Sequence, residues 1–205
     1  MEVFLFPLVN VTLFPRTTKP LNIFEPRYLA MIKEAAAKNI PVALGYIEDP
    51  GKVTSVKPGE HVPFVREIAG YGTVQIIEER LNGTLLVFLQ GQGKVRLGKV
   101  LESGTPYIVC EGQILPEKTV LDHSAELELT SLYKILSRWV YTHIHDPSQR
   151  DMFMRHLNLP EEIVGSFASY LVRDYDLQQM VLEYDDLNEK IRFLHRLMES
   201  NELTT

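Results

Sequence analysis

The stretch Gly70-Tyr-Gly-Thr-Val-Gln-Ile-Ile-Glu-Glu-Arg-Leu-Asn82-Gly83-Thr-Leu-Leu-Val-Phe-Leu-Gln-Gly-Gln-Gly-Lys-Val-Arg-Leu97 decides the fold. Two runs rich in β-branched and apolar residues flank an Asn-Gly pair. Asn and Gly tolerate the positive φ that both central residues of a type I′ turn require, so the stretch predicts a β-hairpin. Leu85 to Leu89 is apolar on both faces, as in a central, buried strand. Gly91 and Gly93 interrupt the pattern and predict a bulge or a sharp bend. Beyond them Val95 and Leu97 alternate with Lys94, Arg96 and Lys99, so this part has one face in water.

Outward from the hairpin, Met1 to Leu8 reads as a strand ended at Pro7, and Val9 to Phe14 as a second apolar stretch closed by Pro15. Pro20 sets an extended segment. Glu25-Pro26-Arg27 opens a helix, with proline in the first turn where its missing N–H costs nothing. Asn39 or Pro41 stops it. Pro41 to Ile47 is an apolar strand, residues 49–61 a polar loop closed by a solvated His61, and Val62 to Val65 a further strand. Tyr107 to Leu115 is another, ended by Pro116. The count is six or more strands and one helix.

The period then changes. Leu121, Ala125, Leu129, Leu132, Leu136 and Val140 recur at three- and four-residue steps, an amphipathic helix capped near Asp122 or Ser124. Asp146-Pro147 and Leu159-Pro160-Glu161-Glu162 have the form of helix starts. Asp186 and Glu189 stand at capping-box spacing before a helix with Leu187, Ile191, Leu194 and Met198 on one face. Residues 200–205 are expected to fray. Strands followed by helices without alternation give an α+β fold class. The expected division is a β-rich subdomain over 1–118 and a helical subdomain over 119–205.

Composition narrows the function. The chain of 205 residues has a formal net charge of −6, unevenly spread. Residues 1–118 carry 13 Lys and Arg against 12 Asp and Glu, and residues 119–205 carry 8 against 15. A near-neutral first part and an acidic second part argue against a nucleic-acid footprint, which needs a concentrated basic face. The single cysteine, Cys110, excludes an intrachain disulfide and any CxxC site. It sits in the apolar run Tyr-Ile-Val-Cys, as a buried, inert thiol does. No apolar run approaches the ~20 residues that span a bilayer. Met1 to Phe14 has neither a basic leader nor a small-residue cleavage site. The expectation is a cytoplasmic protein that does not engage membrane.

Motifs for catalysis fail one by one. Gly45 to Lys52 imitates a P-loop but has five residues between its glycines, Val53 where magnesium needs a hydroxyl, and Pro50 in the cradle. His143, His145 and Asp146, with His156 nearby, are the densest group of metal-type ligands. Neighbours two apart on a helix face different ways, so a polar helix end explains them better than zinc. There is no Gly-x-Ser-x-Gly frame. Acidic pairs such as Glu161-Glu162 suit helix starts, and Arg16, Arg27 and Arg80 are too scattered for a phosphate clamp.

The order of several pieces nevertheless resembles a known family. These are Phe6-Pro-Leu8, Leu13-Phe-Pro15, Pro20-Leu21 and Phe24-Glu25-Pro26-Arg27-Tyr28. Gly72-Thr-Val74-Gln-Ile76, the Asn82-Gly83 turn and Gly91 to Leu97 follow, then Gln179, Leu182-Glu183 and Arg196-Leu197. Together they span nearly the whole chain and resemble the N-terminal, substrate-binding domain of the Lon ATP-dependent proteases, in a freestanding form. The ATPase and Ser-Lys protease modules of the full enzymes have no counterpart in the sequence. Lys94 stands where members of the family usually carry arginine.

The resemblance implies a PUA-like β pseudobarrel with one inserted helix, followed by a C-terminal helical bundle. It implies a non-catalytic module that binds unfolded or partly folded polypeptides, an adaptor or chaperone-like protein in proteolysis, with a separate protease as a partner. No catalytic residue, cofactor or metal is expected. An RNA-binding module of PUA-like fold is the alternative left open, and an unrecognised hydrolase the third. For the peptide-binding surface, aromatics beside glycine or proline breaks are the candidates: Tyr46, Phe64 and Tyr71. The competing reading places all three in the core, where Phe4, Phe6, Leu21, Phe24 and Val87 are expected in either case.

Overall fold

A computed structural model describes residues 1–200. The described chain divides into two compact units, Met1–Leu115 and a second from Pro116 onward. In the first, β1 (Glu2–Leu8), β2 (Thr18–Ile23), helix α1 (Pro26–Lys38), β3 (Val42–Tyr46), β4 (Ile68–Glu79), β5 (Leu85–Val100) and β6 (Ile108–Leu115) follow in order. The six strands form one mixed sheet in the order β2-β5-β4-β3-β1-β6, and β6 returns to pair with β5, so the sheet closes into a ring. The β1–β3 pair is parallel, with α1 as the crossover between β2 and β3.

The unbroken apolar run of β1 has a simple cause: both of its faces are covered. Phe4 and Phe6 pack with Tyr28, Met31 and Ile32 of α1 and with Val87 of β5. Val3 and Leu5 face the other way, toward Ala43, Tyr71, Val95 and Cys110. Each fully buried Leu or Phe of this kind contributes ~1.5–3 kcal/mol. Helix α1 starts on Pro26 and ends at Asn39, whose φ of 54° is the left-handed cap that asparagine tolerates.

The hairpin forms as β4 and β5, but its turn differs from the two-residue type expected. Arg80 N–H donates to Thr84 O (2.9 Å) and Gly83 N–H to Arg80 O (2.8 Å), the pattern of a three-residue loop, Leu81-Asn82-Gly83. Only Gly83 takes a positive φ (80°). Asn82 instead uses its Oδ1 to accept from the N–H of Thr84 (3.1 Å) and its hydroxyl (2.8 Å), so its side chain fixes the turn that its backbone was expected to fix. The bulge foreseen at the glycines is present: Tyr71 faces Gly93 and Gly72 faces Gly91, leaving Gln92 unpaired.

Three further expectations are corrected. Val62 to Val65 is not a strand; Pro63 supplies no N–H, and Val62 and Phe64 are buried one by one from a loop before β4 starts at Ile68. Phe24 is 70% exposed rather than core. Ile23 takes the inward position at the end of β2, and alternation turns Phe24 out. Leu21 is only partly buried, on the margin of the same cluster.

The second unit holds α2 (His123–His143), α3 (Pro147–Arg155), α4 (Pro160–Leu171), α5 (Tyr175–Glu183) and α6 (Leu187–Glu199). Asp122, Asp146, Asp174 and Asp186 cap four of these helices through side-chain oxygens. The fifth, α4, has Glu162 reaching back to the N–H groups of Asn158 and Leu159. Asp186 bonds Asn188 N–H (2.9 Å) and not Glu189, so the expected capping box is not made. Buried Leu187, Ile191, Leu194 and Leu197 form the inner face of α6, with Leu197 in the place expected for Met198. Residues 201–205, where fraying was expected, lie outside the described residues.

Asp186 also ties the 116–122 segment to α6. Lys118 Nζ donates to it at 2.8 Å, and buried Asn188 donates to Val120 O and accepts from Asp122 N–H, both at 2.9 Å. Lys118 foremost, then the Asn188 N–H, hold the Asp186 carboxyl down to about 2. A carboxyl depressed in the folded state stabilises above its ordinary range, and that contribution is lost as pH falls through the folded value. Asp186→Asn is therefore expected to lower Tm at pH 6, with the gap between variant and parent shrinking as melts are taken down toward pH 2.

The turn and the crossing of the hairpin make a second prediction. A Cβ on Gly70 would lie 1.8 Å from Leu13 O, whereas one on Gly83 would meet nothing within 4 Å and suffers only from φ. Gly83→Val should destabilise by more than the ~1 kcal/mol of an ordinary glycine replacement, and Gly70→Ala by more than Gly83→Val. Urea denaturation of both variants checks the order.

Candidate functional site

A cleft of the first unit opens where three connections meet. Its floor is apolar: Leu5, Leu8, Ile47, Phe64, Val100 and Ile108. One wall is the 53–58 loop, the other the 101–106 connection between β5 and β6, and the N-terminal turn of α1 closes an end with Glu25, Arg27 and Tyr28. The cleft encloses about 570 Å³, within the ~300–1,000 Å³ range of ligand-binding pockets.

Local sequence explains each wall. Asp49 Oδ1 accepts from Gly51 N–H (2.9 Å), starting a single 3-10 turn over Pro50–Lys52 that sends the loop outward. The loop returns at Gly59, where φ is 86°, and is tied to the end of β5 by Gly59 N–H to Val100 O and Val100 N–H to Glu60 O, both 2.8 Å. The opposite wall is a turn built on Gly104 (φ 63°), with the Ser103 and Thr105 hydroxyls 2.7 Å apart and Thr105 donating to Tyr107 O at 2.9 Å. Val53 is 49% exposed on the first wall, an aliphatic side chain offered to solvent from an otherwise polar loop.

The charges around the cleft are few. Arg27 pairs with Glu25 at 2.9 Å and lies over the Tyr28 ring at 4.4 Å. Burial pushes the Tyr28 phenol up. Beneath the second wall Tyr107 donates to Glu34 at 2.5 Å, and its phenol is driven far above its ordinary range by burial and then by that carboxylate. The hydrogen bond from Lys38 and that from Tyr107 hold the Glu34 carboxyl low.

Of the residues singled out in the sequence, Phe64 contributes to this floor, while Tyr46 and Tyr71 do not. All three are buried, at 7%, 5% and 9% exposure. Tyr46 ends β3, and Tyr71 packs against Val3, Leu5 and Val95 inside the ring, with a Cβ on Gly93 falling 3.1 Å from its ring. Proximity to a break in the ladder therefore located core rather than surface for these two. Lys94, where the resemblance expects arginine, is buried in β5 opposite Gly70 and Leu115. Cys110 is buried, and desolvation pushes its thiol up to about 12, which leaves no reactive thiolate.

The walls were missed in the sequence, although a signal exists for each. Val53 and Val56 are the aliphatic residues of an otherwise polar stretch, and Glu102-Ser-Gly-Thr-Pro106 is a dense turn between two strands. In the helical unit, His143 stacks on Trp139 (4.7 Å, 15°) and its Nδ1 lies 2.9 Å from Trp139 O. Trp139 also meets Tyr170 at 5.2 Å, and Tyr170 meets Phe153 at 5.4 Å. Among the described residues no group of three or more His, Cys, Asp or Glu is placed to hold a metal ion.

A family model described as the ATP-dependent protease La (LON) substrate-binding domain matches residues 2–200. The chain belongs to this family. Lon protease of Escherichia coli (strain K12) is 20% identical over 203 residues, covering 98% of this chain and 25% of its own length. Lon protease 2 of Herpetosiphon aurantiacus is 26% identical over 204 residues, covering 95% and 23%. The chain thus spans about a quarter of the length of the curated relatives it matches. The N-terminal domain of Mycobacterium avium complex Lon protease superposes with a TM-score of 0.69 at 14% identity, over 97% of this chain and 98% of that one. A Lon N-terminal domain protein from Xanthomonas campestris gives 0.67 at 18%, with the same coverage. The six-stranded sheet that closes into a ring, the inserted helix and the five-helix bundle are thus the fold of the Lon N-domain.

Tyr71→Ala is expected to remove ring packing inside the β unit and cost ~3–5 kcal/mol, by analogy with other buried aromatic truncations. Chemical denaturation measures it. An unchanged midpoint would return Tyr71 to the surface.

Proposed function

We propose that this chain is a non-catalytic polypeptide-binding module that captures unfolded or partly folded segments in the cleft between the 53–58 loop and the 101–106 connection. The observation that carries the reading is the cleft's make-up: an apolar floor, walls of short polar side chains, and one exposed aliphatic residue at the lip. An extended segment gains main-chain hydrogen bonds from such walls and places apolar side chains on such a floor. Membership of a family described by substrate binding supports the same reading.

Within this proposal the module acts as an adaptor or chaperone-like protein in proteolysis, in the cytoplasm, with a separate protease as its partner. Among the described residues no helix is long and apolar enough to cross a membrane. RNA binding needs a concentrated positive face. The rim of this cleft offers a single arginine, already paired with Glu25.

Val53→Asp tests the site without disturbing the core, because Val53 is exposed in a loop. The variant should keep its Tm and lose about tenfold in affinity for a reduced, carboxymethylated client followed by fluorescence anisotropy. Equal affinity in parent and variant would remove the 53–58 loop from the binding surface. Binding that survives nuclease treatment and changes little between low and moderate salt separates apolar peptide from RNA.

A further inference from the structure

The charges at the cleft are not balanced. Glu25, Arg27 and Glu102 are its charged lining residues, and the first two pair with each other. Glu102 is exposed on the 101–106 wall and has no ion-pair partner among the described residues. The far side of this wall is also concave: a recess of about 410 Å³ is lined by Glu2, Glu34 and again Glu102. Leu101, Ser103 and Thr105 border both spaces. Glu34 is satisfied by Lys38 and Tyr107, and Lys38 also attracts Glu2, so Glu102 is the carboxylate of this wall without a cation beside it among the described residues. The wall is thus a narrow ridge with an apolar floor on one side, a carboxylate-lined recess on the other, and the unpaired Glu102 on its crest.

We infer that the cleft selects extended segments in which a large apolar residue is flanked by lysine or arginine. The apolar side chain enters the cleft, and the neighbouring cation crosses the ridge to Glu102 and the recess behind it. This rests on the peptide-binding reading above and adds a substrate class to it. Alternation suits the arrangement, since successive side chains of an extended strand point to opposite sides. A rim carboxylate adds modest affinity but clear preference, because it favours one sign of charge and repels the other.

The test uses the full chain and fluorescent peptides with a central phenylalanine flanked by lysine, by glutamine or by glutamate, read by anisotropy at low and moderate salt. The lysine-flanked peptide is expected to bind about threefold to fivefold more tightly than the glutamine-flanked one at low salt, with the glutamate-flanked peptide weakest. The preference should shrink at moderate salt. Glu102→Gln should bring the lysine and glutamine peptides together, and Glu102→Lys should favour the glutamate peptide, both without change in Tm. If all three bind alike and neither variant alters the order, the inference is overturned while the cleft remains a peptide site. If none binds, and the carboxymethylated client does not bind either, the peptide-binding reading falls and takes the inference with it.

Discussion

The β unit depends on a close approach of two backbones. The segment 12–17 crosses the β4–β5 hairpin so near that the carbonyls of Leu13 and Phe14 occupy the space where side chains on Gly70 and Gly91 would begin, 1.8 Å and 2.1 Å from the respective Cβ positions. No other residue fits there. The crossing is then locked by paired hydrogen bonds, Arg16 N–H to Gly91 O and Gly91 N–H to Thr17 O, both 2.8 Å. Arg16 takes a φ of 59° to make its part of the pair, a strained conformation held by the contacts on both sides. With the crossing in place, β2 is delivered to the edge of β5, and α1 follows it onto Phe4 and Phe6. The start of α1 then closes the end of the cleft.

This explains what the sequence discloses and what it withholds. Apolar periodicity is local, so the strands at residues 2–8, 42–46 and 108–115, the helix from Pro26 to Asn39 and the helical run after Asp122 are all legible. The glycines at 70, 72, 91 and 93 are legible as breaks, but their purpose is not, because what they admit is distant in sequence: Gly70 and Gly91 make room for the backbone of Leu13 and Phe14, Gly72 for that of Gln90, and Gly93 faces the Tyr71 ring. The same gap between signal and cause affects the site. Tyr71 sits between two glycines that are small to let Leu13 and Gln90 approach, not to expose the ring. Phe64 follows Pro63 in a loop that folds inward. Aromatics beside glycine mark a crowded interior here, whereas Val53, an aliphatic in a polar loop, marks the surface.

The helical unit solves a different problem. It carries most of the negative charge, and much of that charge is placed where backbone N–H groups lack partners: four aspartates and Glu162 cap its five helices. Partial positive charge at a helix N-terminus favours a carboxylate, so five of the 15 acidic residues over 119–205 are capping chemistry. Lys190 shows the same economy at depth. It is almost wholly buried and pairs with Glu117, which spares its ammonium an uncompensated burial. Together with Lys118 and Asp186, this ties the first residues after Pro116 to the last helix.

A cleft built from connections rather than strands has a mechanical consequence. The central strands β1 and β3 each have two neighbours, and β1 has a core on both faces, so they are held in place from every side. The 53–58 loop is exposed and is pinned at its two ends, by the Asp49–Gly51 bond and by Gly59 on Val100. The 101–106 turn is held at Leu101 and Thr105. These walls are held chiefly at their ends and where Val56 rests on the core, while the floor under them, Leu5 and Phe64, is part of the buried core itself. The polypeptide-binding role proposed above uses that division between an apolar floor and polar walls. The physical cost of adaptation then falls on exposed loops, where few buried contacts are at stake, and not on the closed sheet whose glycine crossing leaves no room for displacement.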